Sequence, residues 1–281
     1  MLNFTDLDVV ITGAASGMGA ETASLLLAAG ARVHTLDVAA VEAPVASQQL
    51  CDLGDIASID AAVAHLPDRV DVLMNCAGVP NGGRFSGREV LAINWLGLRH
   101  LTESLLPRIP EGGSVVHISS TAGRAWADRV AVHDELMAAA SYGEGLAWAE
   151  AHPDEVGDGY VLSKEAVQFY TLWRSVQTLS LGVRMNSVSP GITATAIIDD
   201  FRRGMGDELI AHAEALAGRM AHPREMAPAM LFLADQASAS YINGVILNID
   251  RGTGAARASG QNDPTILWPD GPPPPSQETS S

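Results

Sequence analysis

Short β-rich apolar runs alternate along this chain with longer stretches whose apolar positions recur at helical spacing. That alternation predicts an α/β fold: one doubly wound parallel sheet with helices on both faces. Strands are expected at residues 8–12, 31–37, 70–75, 114–119, 184–189 and 245–249, and helices at 19–29, 90–109, 162–181 and 224–234. Gly30 ends the first helix. Two segments break the rhythm. Residues 121–159 contain a helix-like run at 130–150, and residues 192–222, after Pro190-Gly191, are helix-prone but outside the core alternation. Extra helices beside strand carboxyl ends are well placed to cover a ligand crevice. The regular domain is expected to span residues 1–252. The pattern is expected to stop there, leaving residues 253–281, with Gly271-Pro272-Pro273-Pro274-Pro275, as a poorly ordered tail.

Composition narrows the function classes. A 281-residue chain that is 47% hydrophobic has ample material for one large core. Its net charge of −16 disfavours nucleic acid and anionic membrane surfaces as partners. Two cysteines and scattered histidines give neither a disulfide framework nor metal-ligand spacing, so no metal is expected. No apolar run approaches the ~20 residues of a membrane span, and the first residues lack a basic n-region. The default compartment is a reduced cytoplasm, and the expected partner is a small molecule.

Thr12-Gly13-Ala14-Ala15-Ser16-Gly17-Met18-Gly19 joins the first strand to the first helix. Glycines at this spacing allow a tight turn and let backbone N–H groups approach a pyrophosphate at the helix N-terminus. The strand–turn–helix setting makes this a variant of the dinucleotide fingerprint of Rossmann-type sheets. Asp37 ends the second strand, 18 residues past Gly19. A carboxylate there accepts from the adenosine ribose and repels a 2′-phosphate, and no basic residue sits nearby, which predicts NAD over NADP.

The chain has a single lysine, Lys164, four residues after Tyr160; every other strongly basic residue is arginine. A surviving lysine hints at a site that needs a compact ammonium. At i, i+4 the two side chains share a helix face, and a phenol needs a neighbouring cation to act as acid or base near neutrality.

Taken together, Gly13, Gly17, Gly19, Tyr160 and Lys164 give a chain that resembles the short-chain dehydrogenase/reductases of the TGxxxGxG and YxxxK type. Further marks follow in order. Asp52-Leu53 is similar to the pair beside the adenine, Asn75-Cys76-Ala77-Gly78 to the NNAG element, and Asn94 to the asparagine of the catalytic group. Ser119-Ser120 ends the strand before the site, and Ser120 matches the catalytic serine. Pro190-Gly191-Ile192-Thr193-Ala194-Thr195 matches PGxxxT, and Asn243-Gly244 with Asp250-Arg251-Gly252 resembles the closing NG…DGG, with Arg251 in place of a glycine. The resemblance implies catalysis by Asn94, Ser120, Tyr160 and Lys164. It implies cofactor contacts from Gly13, Ser16, Gly17, Met18, Gly19, Asp37, Asp52, Leu53, Asn75, Ala77, Gly78, Tyr160, Lys164, Pro190, Gly191, Thr193 and Thr195. It also implies that Lys164 lowers the Tyr160 pKa and that Asn94 holds a relay water.

Ser120 and Tyr160 are 40 residues apart, wider than is usual in the family. An insertion of this kind is similar to that of bacterial 3α-hydroxysteroid dehydrogenase/carbonyl reductases and coniferyl-alcohol dehydrogenases. The expected activity is therefore NAD-dependent interconversion of an alcohol, best an aromatic one, with its aldehyde or ketone. A 3α-hydroxysteroid dehydrogenase/carbonyl reductase is the alternative, and a catalytically silent NAD(H) sensor is the alternative of another class. Substrate choice is expected to lie in the insertion. There Trp126, Tyr142 and Trp148 line a pocket, form a small core of their own or make a subunit contact. Ile198, Phe201 and Met205 are candidates for an apolar lid. Family members associate through the helices at 90–109 and 162–181, so a homodimer or homotetramer is expected.

Overall fold

Seven parallel strands build one sheet in the order β3-β2-β1-β4-β5-β6-β7. They are β1 Asp8–Thr12, β2 Arg32–Asp37, β3 Ser47–Leu50, β4 Val72–Asn75, β5 Ser114–Ile118, β6 Arg184–Pro190 and β7 Ile246–Ile249. The structure, a computed structural model, describes residues 2–264. Connections run outward in both directions from β1 and β4, whose carboxyl ends lie side by side with Thr12 opposite Asn75. At such a reversal the flanking loops part and leave a crevice.

Each face of the sheet carries its own apolar layer. On one, Ala23 and Leu26 of the helix Gly17–Ala28 and Met230, Leu231 and Leu233 of Ala227–Ala234 cover Val9, Ile11 and Val33. On the other, Ile56–Val63, the helical run from Gly87 to Leu105 and Tyr160–Gln177 cover Val10, Leu73 and Val115. Trp95 and Tyr170 meet edge-on at 5.2 Å in the centre of this second layer. Truncating Trp95 to Ala would cost about 3–5 kcal/mol.

Two elements fall outside the sequence pattern. β3 is Ser-Gln-Gln-Leu at the sheet edge, with alternate residues exposed, so it has no apolar run to announce it. Ile56–Val63 is a short helix whose start is fixed by the Asp55 carboxylate accepting from the Ala57 amide. The helix expected at 90–109 starts earlier, at a Ser86/Glu89 capping box, and widens into a π-helical turn at Ala92–Gly97 before resuming at Leu98–Leu105. Gly97 is needed in that turn, because a Cβ there would lie 2.1 Å from the Leu53 carbonyl oxygen.

The end of the domain is a correction. The regular structure does not stop at residue 252, since Thr253–Ala258 forms a further helix with Ala256 buried. The Asp250 carboxylate accepts from the Gly252 and Gly254 amides and the Thr253 hydroxyl and so nucleates that turn. The proline run at 272–275 lies outside the described residues. Within the insertion, the run expected at 130–150 folds as two helices rather than one, Val130–Ala138 and Tyr142–Ala151, divided where Ser141 caps the second. The first packs on the Tyr160–Gln177 helix and accepts from Arg99 at its carboxyl end, and the second packs on the helical run Gly87–Leu105, with Gly145 directly on Leu96.

Candidate active site

The turn after β1 is shaped by close backbone approaches. Gly13 and Gly17 have positive φ, and a Cβ on Gly19 would lie 2.0 Å from the Gly13 carbonyl oxygen. Thr12 ties the turn to the loop after β4, its hydroxyl oxygen accepting from the Cys76 and Ala77 amides at 3.0 Å each. Asp37 clamps it from β2 by accepting from the Ala15 and Ala39 amides at 2.9 and 3.0 Å. Ser16 stands at the N-cap of Gly17–Ala28 without a side-chain cap bond, leaving the first-turn N–H groups with no side-chain acceptor. That open helix end beside a fixed carboxylate fits the pyrophosphate and ribose of a dinucleotide. Thr195 faces the turn, its methyl carbon 3.8 Å from where a Cβ on Gly17 would be.

Ser120, Tyr160 and Lys164 converge on one cavity of about 450 Å³ at the carboxyl ends of β4, β5 and β6. Met18, Gly78, Pro190, Gly191, Thr193 and Thr195 line the same space, so the nucleotide and catalytic candidates share a single crevice. Tyr160 opens the helix Tyr160–Gln177, one turn ahead of Lys164, and both are buried. The first turn of this helix is fixed to β5. Ser119 donates to the Lys164 carbonyl at 2.9 Å, Gln168 donates to the Ser120 carbonyl at 2.8 Å, and Gly123 lies against the Lys164 backbone. The Ser120 hydroxyl oxygen accepts from the Ala122 amide, which leaves its proton to donate elsewhere.

The electrostatics differ from the sequence expectation. Burial pushes the Tyr160 phenol up to about 12; the nearby Ser120 hydroxyl opposes this and Asp158 adds to it. Burial also pushes the Lys164 ammonium down to about 8. Its Nζ lies 5.6 Å from the Tyr160 ring centre and donates to the Ile118 carbonyl at 3.3 Å. Desolvation therefore dominates both groups in the ligand-free protein, and the phenol is protonated at neutral pH.

Other predicted residues take supporting places. Asn94 sits in the π-helical turn, where its amide both donates to and accepts from Val79 and also donates to Ser163. It fastens the loop after β4 beside Lys164. Asn75 is a correction: its amide is buried and donates to Thr102 and toward His117, so its side chain points beneath the sheet end and away from the crevice. Asp52 accepts from the Gly54 amide and Leu53 packs under the π-helical turn, beyond the lining. His133 is wholly buried, stacked on Phe169 and 3.6 Å from Glu165, and is structural.

The insertion contributes less to the cavity than expected. Trp126 packs on Phe169, Tyr142 donates to the Gly54 carbonyl and Trp148 to Glu135, and none of the three lines the cavity. Only the insertion's two ends, including Ala122, Ala125 and Asp158, reach it. The apolar wall of the cavity comes instead from the segment after β6. Ile198–Met205 and Asp207–Ala217 meet at Gly206 and turn Ile198, Phe201, Met205, Leu209 and Ile210 inward. The Phe201 ring stands edge-on over Tyr160 at 4.9 Å.

Sequence reading missed the contact that seats this lid. Gly82, with positive φ, lies against the Gly204 backbone, where a Cβ would come to 2.2 Å of the Gly204 nitrogen. The Gly82-Gly83 pair after Asn81 was the available signal. Gly82→Ala must push the lid away by about 1 Å, a misplacement that costs up to about 10²-fold in a positioned site. The expected result is a lower kcat/KM for the alcohol with NADH affinity nearly unchanged; an unchanged kcat/KM would show that the lid does not need this seat.

Comparisons with known proteins agree with this geometry. The family profile described as short chain dehydrogenase matches residues 8–132, and that described as Enoyl-(Acyl carrier protein) reductase matches residues 147–254. A coniferyl-alcohol dehydrogenase of Pseudomonas sp. (strain HR199 / DSM 7063) is 34% identical, covering 89% of this chain and 98% of its own. A 3-alpha-hydroxysteroid dehydrogenase/carbonyl reductase of Comamonas testosteroni is 31% identical over 88% and 96%. The crystal structure of the 3-alpha-hydroxysteroid dehydrogenase from Pseudomonas sp. B-0831 complexed with NADH matches with a TM-score of 0.77 at 27% identity, covering 90% of this chain and 98% of that one. With the glycine turn, the lone lysine and relatives that match along nearly their whole length, the chain belongs to the short-chain dehydrogenase/reductase family of oxidoreductases.

Proposed function

We propose that the chain is an NAD-dependent dehydrogenase that interconverts an alcohol with its aldehyde or ketone, acting on aromatic alcohols of the coniferyl-alcohol type. The observation that carries this reading is the convergence of Ser120, Tyr160 and Lys164 on an apolar cavity beside the glycine turn. The bound nicotinamide supplies the hydride acceptor or donor. Gly17, Met18, Gly19 and Thr195 hold its pyrophosphate, Asp37 its adenosine ribose, and Pro190, Gly191 and Thr193 its nicotinamide end. Ser120 donates to the substrate oxygen and steadies the charge that develops there. Tyr160 moves the proton at that oxygen. As a phenol it is ready to protonate a carbonyl; to accept a proton from an alcohol it relies on the Lys164 charge and the Ser120 hydrogen bond to offset its burial. Asn94 ties the Val79 loop to Ser163, the residue before Lys164.

The coniferyl-alcohol reading is supported by the 34% identical relative of that name. The 3α-hydroxysteroid alternative is kept on the 31% identical relative of that name. Rates with coniferyl alcohol and a 3α-hydroxysteroid, each with NAD and NADP and followed at 340 nm, decide between them. Turnover of the steroid alone would replace the first reading. NAD is expected to be preferred, and Asp37→Ser should weaken NAD and raise the NADP/NAD ratio of kcat/KM by about tenfold or more, the value of one charge-assisted ribose contact. An unchanged ratio would remove Asp37 from cofactor choice.

We also infer a homodimer. The insertion covers the amino-terminal part of the Tyr160–Gln177 helix, while Trp173, Val176, Leu179 and Leu181 remain exposed beyond it. A single-chain mass by light scattering at micromolar concentration would exclude the dimer.

A further inference from the structure

Four charged side chains line the cavity: Arg124, Asp158, Lys164 and Arg257. Two are already committed. Asp158 accepts from the Asn81 side chain and the Tyr160 amide, and Lys164 belongs to the proton-transfer group. Arg124 and Arg257 remain. Arg124 lies in the turn just after Ser120, exposed, and gives one hydrogen bond to the Thr121 carbonyl. Arg257 projects from Thr253–Ala258, half-buried, with no hydrogen bond or ion pair to its side chain among the described residues. Asp250, the one carboxylate that attracts it, is spent on its own turn.

Two guanidinium groups from distant parts of the chain therefore line the same cavity, where burial first and the Arg124 charge second disfavour the charge on Arg257, a cost that a bound counter-ion removes. They do so in a protein of net charge −16, where carboxylates are plentiful, yet among the described residues neither guanidinium forms an ion pair. Much of the remaining lining is apolar, from Ile192, Ile197, Ile198, Phe201 and Met205, and the arginines are more exposed than the buried Tyr160 and Lys164. We propose that Arg124 and Arg257 form an anion subsite that receives a carboxylate on the alcohol substrate, at the end remote from the reacting carbon. A carboxylate is planar with two acceptor oxygens and matches the guanidinium fork. The inference rests on the dehydrogenase reading above and narrows it to an aromatic alcohol that carries an acid group.

The test compares 4-(hydroxymethyl)benzoate with its neutral isostere 4-(hydroxymethyl)benzamide, together with the pair one methylene longer, using NAD and the full chain. The carboxylate should be preferred in kcat/KM by about tenfold to 10²-fold in at least one pair, the value of charge-assisted hydrogen bonds. Arg257→Gln should bring that ratio close to one, Arg257→Lys should restore part of it, and Arg124→Gln should reduce it. Because each variant is read as a ratio between two substrates, partial loss of folded protein does not affect the result. Calorimetry of the unreactive 4-methylbenzoate and 4-methylbenzamide with NADH-loaded protein gives a readout that needs no turnover. Carboxylate-selective binding that Arg257→Gln abolishes, without turnover of any alcohol, would support the subsite and sink the dehydrogenase reading. No carboxylate preference in rate or binding, or a preference that Arg257→Gln leaves intact, overturns the subsite and leaves that reading standing.

Discussion

Replacing Tyr160 by Phe should lower kcat by about 10²–10⁴-fold, the usual contribution of a positioned acid–base group, while NADH affinity changes little. The ring is held by Phe201 on one side and by the helix start on the other, so Phe keeps the packing and loses only the hydroxyl. With that hydroxyl gone, the neighbours are poor substitutes: Ser120 is too weak an acid, and the Lys164 Nζ lies over the ring, 5.6 Å from its centre, bonded to the Ile118 carbonyl. The pH profile of the native enzyme is the companion measurement. In the reductive direction the phenol must be protonated, and burial keeps it so, which predicts a rate that holds through neutral pH and falls only on the alkaline side. Retention of even a tenth of the activity in Tyr160→Phe would move the proton-transfer step to another group.

Lys164 should show opposite effects on rate and stability. Lys164→Arg keeps a cation but replaces a compact ammonium with a wide planar group in a space so close that even a Cβ on Gly78 would lie 3.4 Å from Nζ. We expect a loss of about 10²-fold or more in kcat. Lys164→Met should also be inactive, yet more stable without cofactor. The sign follows from linkage. Burial lowers the native pKa from 10.5 to about 8, so below pH 8 the lysine is charged in both states and the native state bears the full cost of the buried charge. As pH rises from 8 to 10.5 the native lysine is neutral while the unfolded one still binds a proton, so native stability climbs through that window. Removing the charge should therefore stabilise the ligand-free protein by about 2–3 kcal/mol near pH 7, with the gap closing toward pH 10.5. Denaturant unfolding at several pH values measures this, and a less stable Lys164→Met at pH 7 would contradict it.

Most of the sheet was legible because its strands are buried on both faces and read as apolar runs. β3 was not, because an edge strand in contact with water is free to be Ser-Gln-Gln-Leu. The site was legible where chemistry restricts residue type, as at Gly13, Gly19, Tyr160 and Lys164, and less so where only direction matters. Asn75 has the right neighbours in sequence, but its pleat position turns the amide beneath the sheet. Trp126, Tyr142 and Trp148 look like pocket residues by type, yet large aromatics are equally what a helical insertion needs to fasten itself to a domain. Arg257 was hidden for a different reason. It lies past the last strand in an Ala-rich stretch without apolar rhythm, and only the Asp250 turn brings it back to the cavity.

The separation of brace from lid bears on how such an enzyme changes over generations. Val130–Ala138 presses on the Tyr160–Gln177 helix and Tyr142–Ala151 on the π-helical turn, whereas Ile198–Met205 and Asp207–Ala217 line the cavity and rest on Gly82, Tyr160 and Thr253–Ala258. Away from Phe201, whose ring holds Tyr160, substitutions in the second segment can accumulate without loosening Ser120 or Lys164, and an exchange of that segment between relatives would carry a new selectivity with it. Mutational drift in the first segment would register as lost stability long before it registered as a new substrate.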